Sequence, residues 1–261
     1  MRDLGITATE FGPDDFLPDD PKRRAELLAS YGLRAVGGFL PLVLHDPDHD
    51  PLPRALHTLD RFAAAGADTL VVAAASTGSG YDERDVVDGS GWATLFANLG
   101  RVAEAAGERG VQATLHPHVG TVIENRDEVL RTLDADMPLC LDTGHLFLGG
   151  TDPLELVASL GSSVSDRIAH VHLKDVDIEV AGPVRTGTGS FTDAVRKGVF
   201  RPLGAGGVDI GAVVRRLAET GYRGWYVLEQ DRVLSGEPGP NGGPAPDVRT
   251  SLEFLAGVWP R

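Results

Sequence analysis

The chain lacks most of what would place it outside ordinary globular proteins. It has one cysteine, Cys140, in 261 residues, so no internal disulfide can form, which suits a reducing cytoplasm. No run approaches the roughly 18 consecutive apolar residues that a membrane-spanning helix needs. The start, MRDLGITATEFGPDDF, has no basic segment followed by an apolar one and does not read as a signal peptide. Basic residues are scarce, 24 Lys and Arg against 38 Asp and Glu, for a net charge of −14. A protein that grips phosphate backbones needs a concentrated basic surface, so nucleic acid is a poor partner. Hydrophobic residues at 42% and charged residues at 24% exclude intrinsic disorder and fibrous repeats. The length fits one large domain or two small ones, and α/β barrels of about 250 residues fold as one.

One local pattern recurs. A helical stretch stops at a glycine, and an apolar strand begins two or three residues later, in ASYGLRAVGGF, AAAGADTLVVAAAS, GERGVQATLHPH and AETGYRGWYVLEQ. The glycine is a left-handed helix stop and the run after it a buried strand. MPLCLDTGH and RIAHVHLKDV read as strands too. Strands are thus expected at 6–11, 33–40, 69–75, 112–116, 139–142, 168–173 and 225–229. Helices are expected at 21–31, 54–64, 92–109, 126–133, 153–160, 210–220 and 247–258. In the third, Leu95, Phe96, Leu99, Val102 and Ala106 keep a three-to-four-residue spacing. Apolar strands alternating with helices argue for a parallel sheet covered by helices. Seven such units without a linker predict a single (β/α)8 barrel domain over residues 1–261, one strand short.

Three stretches break the rhythm. Residues 82–91 are acidic and glycine-rich and read as a surface loop after a strand. Residues 176–207 read as a long lid or binding loop. Its GAGG, residues 204–207, weakly matches a phosphate cradle, but a plain turn explains it better. Residues 236–246 read as a flexible connection to the last helix.

Polar residues suited to chemistry cluster where strands end: His116 and His118, Asp142 and His145, His170, His172, Lys174 and Asp175, then Glu229 and Asp231. In an α/β barrel the C-terminal strand ends form the active site. Alternate strand residues share a face, so His170, His172 and Lys174 point inward together, as do Glu229 and Asp231. Carboxylates from two strands and imidazoles from two others form an N/O set suited to Mn, Co, Fe, Zn or Mg. Such an ion polarises an oxygen while a neighbouring base moves a proton. A lone strand histidine is more often simply hydrogen-bonded in place, and Asp142 can merely cap a turn. Yet a carboxylate ending the run LCL, or the run WYVL before Glu229, is costly to bury without a partner. His118 and His145 could equally brace a ligand.

TLHPHVGT, LCLDTGHLFLGGTDPLEL, RIAHVHLKDV, KGVFRPLGAGGVD and GYRGWYVLEQD together resemble the inosose dehydratase branch of the xylose-isomerase-like sugar isomerases and epimerases. The resemblance covers nearly the whole chain. It implies a (β/α)8 barrel with a divalent metal, Mn, Co, Mg or Zn, held by Asp142, His172 and Glu229. Where the wider family has a first glutamate this chain has His116, and the fourth ligand stays open among His116, His118 and Glu124. The implied reaction is dehydration of a keto-inositol through an enediolate, with His118, His145 or Lys174 as base. Glu124, His170 and Asp231 are candidate substrate contacts. A ketose epimerase or isomerase, an endonuclease IV-like phosphodiesterase and a non-catalytic polyol binder are the rivals, and the net charge speaks against the second. Related barrels often associate, so a homo-oligomer stays open. The resemblance also implies a first strand and helix before Met1, without counterpart here.

Overall fold

Each of the four glycines that close a helical stretch, Gly32, Gly66, Gly110 and Gly221, has a positive φ, between 67° and 85°, the left-handed turn that lets the chain leave a helix and enter a strand. The computed structural model describes residues 1–13, 16–135, 137–234, 236–239 and 242–260. These form two compact units, residues 1–77 with 85–116, and residues 78–84 with 117–261.

The first unit runs β1 (Ala8–Thr9), α1 (Pro21–Ser30), β2 (Arg34–Ala35), β3 (Gly37–Leu42), α2 (Leu52–Ala64), β4 (Thr69–Ala74), α3 (Gly89–Gly107) and β5 (Gln112–Leu115). β3, β4 and β5 are parallel neighbours, and β1 pairs in parallel with β2. The strand expected at 33–40 is divided at Val36, whose carbonyl turns to accept the amides of Asp68 (2.9 Å) and Thr69 (3.1 Å). All six β4 residues are buried, as a strand covered on both faces must be. In α3, Leu95, Leu99, Val102 and Ala106 are buried and Phe96 is half-buried. That helix starts three residues before its periodicity suggests, because Asp88 caps it by accepting the Gly91 amide at 2.9 Å.

The second unit holds α4 (Arg126–Asp134), β6 (Leu139–Asp142), α5 (Thr143–Leu148), α6 (Pro153–Leu160), α7 (Val164–Arg167), β7 (Ile168–Leu173), β8 (Asp175–Val176), α8 (Ile178–Arg185), α9 (Phe191–Arg196), β9 (Phe200–Arg201), α10 (Ile210–Glu219), β10 (Tyr226–Leu228) and α11 (Ala245–Val258). β10, β7 and β6 lie side by side in parallel. Their register sets Asp142 and Val227 on either side of His172, and Cys140 beside His170. Of residues 236–246, positions 240 and 241 lie outside the described residues, and α11 already begins at Ala245.

Residues 176–207 are not the open loop their composition suggests. They fold into α8, α9 and the antiparallel β8–β9 pair. Asp177 caps α8 through the amides of Glu179 and Val180, and Ser190 caps α9 through Asp193. The following turn is organised by one buried acid. The Asp175 carboxylate accepts four backbone N–H groups, those of Val176 (2.8 Å), Gly204 (2.9 Å), Gly206 (3.0 Å) and Val208 (3.0 Å). A Cβ on Gly206 would stand 2.3 Å from an Asp175 oxygen, so the glycine lets the loop wrap this closely. Of the GAGG amides, those of Gly204 and Gly206 go to the chain's own carboxylate and those of Ala205 and Gly207 to the Pro202 and Val176 carbonyls, as a structural turn rather than a phosphate cradle.

Replacing Asp175 with alanine orphans several buried amides and is expected to cost about 3 kcal/mol or more. Urea unfolding of the variant beside wild type reads that loss as a lowered midpoint at unchanged slope.

Candidate metal centre and active site

Asp142 ends β6 and caps α5 at once. Its Oδ1 accepts the amides of Gly144 (2.8 Å) and His145 (2.7 Å), which fixes the rotation of the carboxylate. Oδ2 then points to His172 Nδ1 at 3.7 Å and to Lys174 Nζ at 3.4 Å. From just past the end of β10, Glu229 brings Oε2 to 2.9 Å from His172 Nδ1 and 3.1 Å from Lys174 Nζ. Its amide still bonds to the Leu173 carbonyl at 3.2 Å, so the glutamate is held in sheet register although the strand proper has ended. One imidazole nitrogen and two carboxylate oxygens lie within 4.8 Å of one another. That donor set fits a divalent ion with mixed N/O preference, and two carboxylates this close stay ionised together only with positive charge beside them.

Lys174 supplies positive charge from within the chain. Buried to 1% exposure, it also reaches Asp231 Oδ2 at 3.0 Å and lies 4.8 Å from the centre of the Phe200 ring. Its stem passes over Gly144, where a Cβ would stand 2.9 Å from the lysine Cβ and Cγ. The Thr143 hydroxyl accepts the Lys174 amide at 2.9 Å and donates to the Lys174 carbonyl at 2.8 Å. Burial by itself drives an ammonium toward neutrality, but Asp142, Glu229 and Asp231 outweigh it and hold the Lys174 pKa well above its ordinary value. The mirror effect acts on Glu229: burial pushes it up, and Lys174 and then His172 pull it down to about 2.

His118 and His145 form a stacked pair, with ring centroids 3.7 Å apart. His118 Nδ1 lies 2.7 Å from the Val119 carbonyl, a bond it can make only as donor. His145 Nδ1 accepts the Val119 amide at 3.4 Å. In neutral form, rings making these bonds carry opposite tautomers: His118 with its lone pair on Nε2, and His145 with its proton there.

The other expected residues divide. His170 is wholly buried, with its ring 5.2 Å from that of His172 and edge-on to it. Asp231 sits at the open side, on Lys174. Glu124 is engaged by the Gly120 amide at 2.8 Å and Arg84 Nε at 3.5 Å, in a network with Glu128 that shapes residues 117–128. His116 belongs to the first unit, buried at the end of β5, with its amide on the Val72 carbonyl (2.7 Å) and its ring edge-on to Phe39.

Tyr81, Phe191 and Phe200 escape the sequence reading. The Tyr81 ring lies 4.6 Å from His118, and Phe191 packs near Tyr81, His118 and His145. Burial, then the charge of Asp231, raises the Tyr81 pKa. Asp82 fastens the adjacent chain to α9 through the Ser190 hydroxyl (2.9 Å) and the Thr192 amide (3.0 Å). A lone aromatic in an acidic loop carries no periodic signal; the S-x-x-D cap at Ser190 was the available clue to α9.

Solved structures share this fold at low identity. A D-allulose 3-epimerase from Methylomonas superposes with a TM-score of 0.68 at 20% identity, over 98% of this chain and 88% of that one. The IolI protein, solved with a binding zinc atom, does so with a TM-score of 0.63 at 15% identity, over 92% and 80%. Sequence relatives are nearer. The rhizopine catabolism protein MocC of Rhizobium meliloti is 34% identical over 242 residues, 89% of this chain and 73% of MocC. An inosose dehydratase of Geobacillus kaustophilus is 32% identical over 248 residues, 89% of this chain and 78% of that enzyme. The family model for the xylose isomerase-like TIM barrel matches residues 1–257, and the chain belongs to that family. Among the described residues no helix is long and apolar enough to cross a membrane.

The depressed Glu229 pKa gives stability that is fully present above its ordinary value of 4.5 and is lost as pH falls toward about 2. Urea unfolding of the metal-free protein across that window is expected to lose stability more steeply for wild type than for Glu229→Gln; parallel curves would show that Glu229 has no such role.

Proposed function

We propose that the protein is a divalent-metal-dependent lyase that dehydrates a keto-inositol such as 2-keto-myo-inositol. The observation that carries this reading is the meeting of Asp142, His172 and Glu229 within 4.8 Å; the inosose dehydratases among the relatives indicate the substrate class. Asp142, His172 and Glu229 would hold Mn, Co, Mg or Zn. Bound there, the ion supplies Lewis-acid stabilisation of charge developing on a ketone oxygen. His116 keeps the ligand role that the resemblance gives it, on sequence grounds alone.

The chain's own groups divide the proton work. His118 Nε2, with its lone pair, takes the proton from the carbon α to the ketone. The C–H electrons form the new C=C bond of the enol as the β-hydroxyl departs, and the His118 imidazolium returns its proton to that hydroxyl, releasing water. A neutral His145, with its proton on Nε2, donates a hydrogen bond that orients the substrate. Lys174, its ammonium enclosed by Asp142, Glu229 and Asp231, is not assigned as the base; Asp231 offers an acceptor to substrate hydroxyls at the open side. Phe191 and Tyr81 wall the histidine pair and limit water there. A reducing cytoplasm is the compartment we assign, on the single buried cysteine.

Purified protein is expected to retain a divalent metal and, with Mn²⁺ or Co²⁺, to convert inosose to a product with cyclic-diketone absorbance. Epimerisation of a ketohexose with no reaction on inosose would replace this reading with an epimerase. Asp142→Asn and Glu229→Gln are each expected to lose metal and turnover together. His118→Gln is expected to keep its metal and lose about 10²–10⁴ in kcat, as measured by metal analysis beside steady-state kinetics; a variant with near-wild-type kcat would remove His118 as the base.

A further inference from the structure

The second unit encloses a buried ammonium, that of Lys174. Its neighbours are Asp231 at 3.0 Å, Glu229 at 3.1 Å, Asp142 at 3.4 Å and the Phe200 ring. Gly144 lies against its stem, and the lysine is 1% exposed. Two of the oxygens it touches, Asp142 Oδ2 and Glu229 Oε2, are also the atoms that meet His172 Nδ1. A divalent ion held by those three residues would therefore share its carboxylates with a fixed positive charge a few ångströms away. Around the buried ammonium and Asp142 such repulsion is stronger than in open water. With no ion bound, the same ammonium is the charge that keeps three carboxylates together.

We propose that Lys174 is the resident counter-charge of this cluster: it holds Asp142, Glu229 and Asp231 assembled without metal and lowers the affinity of the site for one. The inference rests on the metal reading above. A site of this kind is ready-made when the ion arrives and exchanges it readily, since the carboxylates never stand uncompensated.

The test compares wild type with Lys174→Met, and with Lys174→Gln should the methionine variant not fold. Each is stripped with EDTA, melted by scanning calorimetry, and titrated with Mn²⁺ against a chelating dye. The variant is expected to bind Mn²⁺ at least tenfold more tightly, to melt several degrees below wild type when metal-free, and to close that gap once Mn²⁺ is added. Unchanged or weaker Mn²⁺ affinity in the variant, or equal melting of the two metal-free proteins, overturns the proposal. Should wild type take up no divalent metal at all, the metal reading falls separately, and the metal-free melting comparison alone decides whether Lys174 is the counter-charge.

Discussion

Much of the second unit is arranged around a demand placed on one carboxylate. Asp142 must close a buried strand, start a helix and face a site, and it does so by dividing its oxygens: one takes two backbone amides, the other turns toward His172 and Lys174. The capping bonds remove the rotational freedom that would otherwise be lost when a ligand binds. They also place His145, because the second amide is its own. The strand end, the helix start and the histidine stack are one construction.

Asp175 shows what the same residue type does without that division. It lies a single step beyond Lys174 and is as buried as Asp142, yet its oxygens meet four backbone amides and, among the described residues, no cation. A carboxylate saturated by amides is a structural element; one that leaves part of its charge to be matched by a mobile partner is suited to chemistry. Burial does not separate these two acids. The identity of their partners does.

Much of this was legible in the residues. Glycine stops followed by apolar runs marked four of the strands, the apolar runs alone marked those at 139–142 and 168–173, and strand parity placed His170, His172 and Lys174 on one side because it depends only on backbone alternation. The strand expected at 6–11 shrinks to Ala8–Thr9, and the one at 225–229 to Tyr226–Leu228, since pairing partners rather than composition decide where a ladder ends. Residues 176–207 were misjudged because glycine and proline content there suggests open chain, while the two short helices depend on caps at Asp177 and Ser190 and the turn on the distant Asp175. Tyr81 was out of reach, as its closeness to His118 arises from folding and from no local pattern. Glu124, one of three candidates for the fourth ligand, meets Arg84 and a loop amide, partners that no local pattern announces.

The narrow clearance between Gly144 and Lys174 has a consequence for heredity. The lysine stem occupies the volume that any side chain at position 144 would need, although thirty positions separate the two in the chain. A lineage that exchanged the glycine would have to shorten or redirect the lysine in the same step, and one that lost the lysine would be released from the glycine. Position 144 should therefore stay glycine wherever position 174 keeps its lysine, a dependence that runs in one direction only.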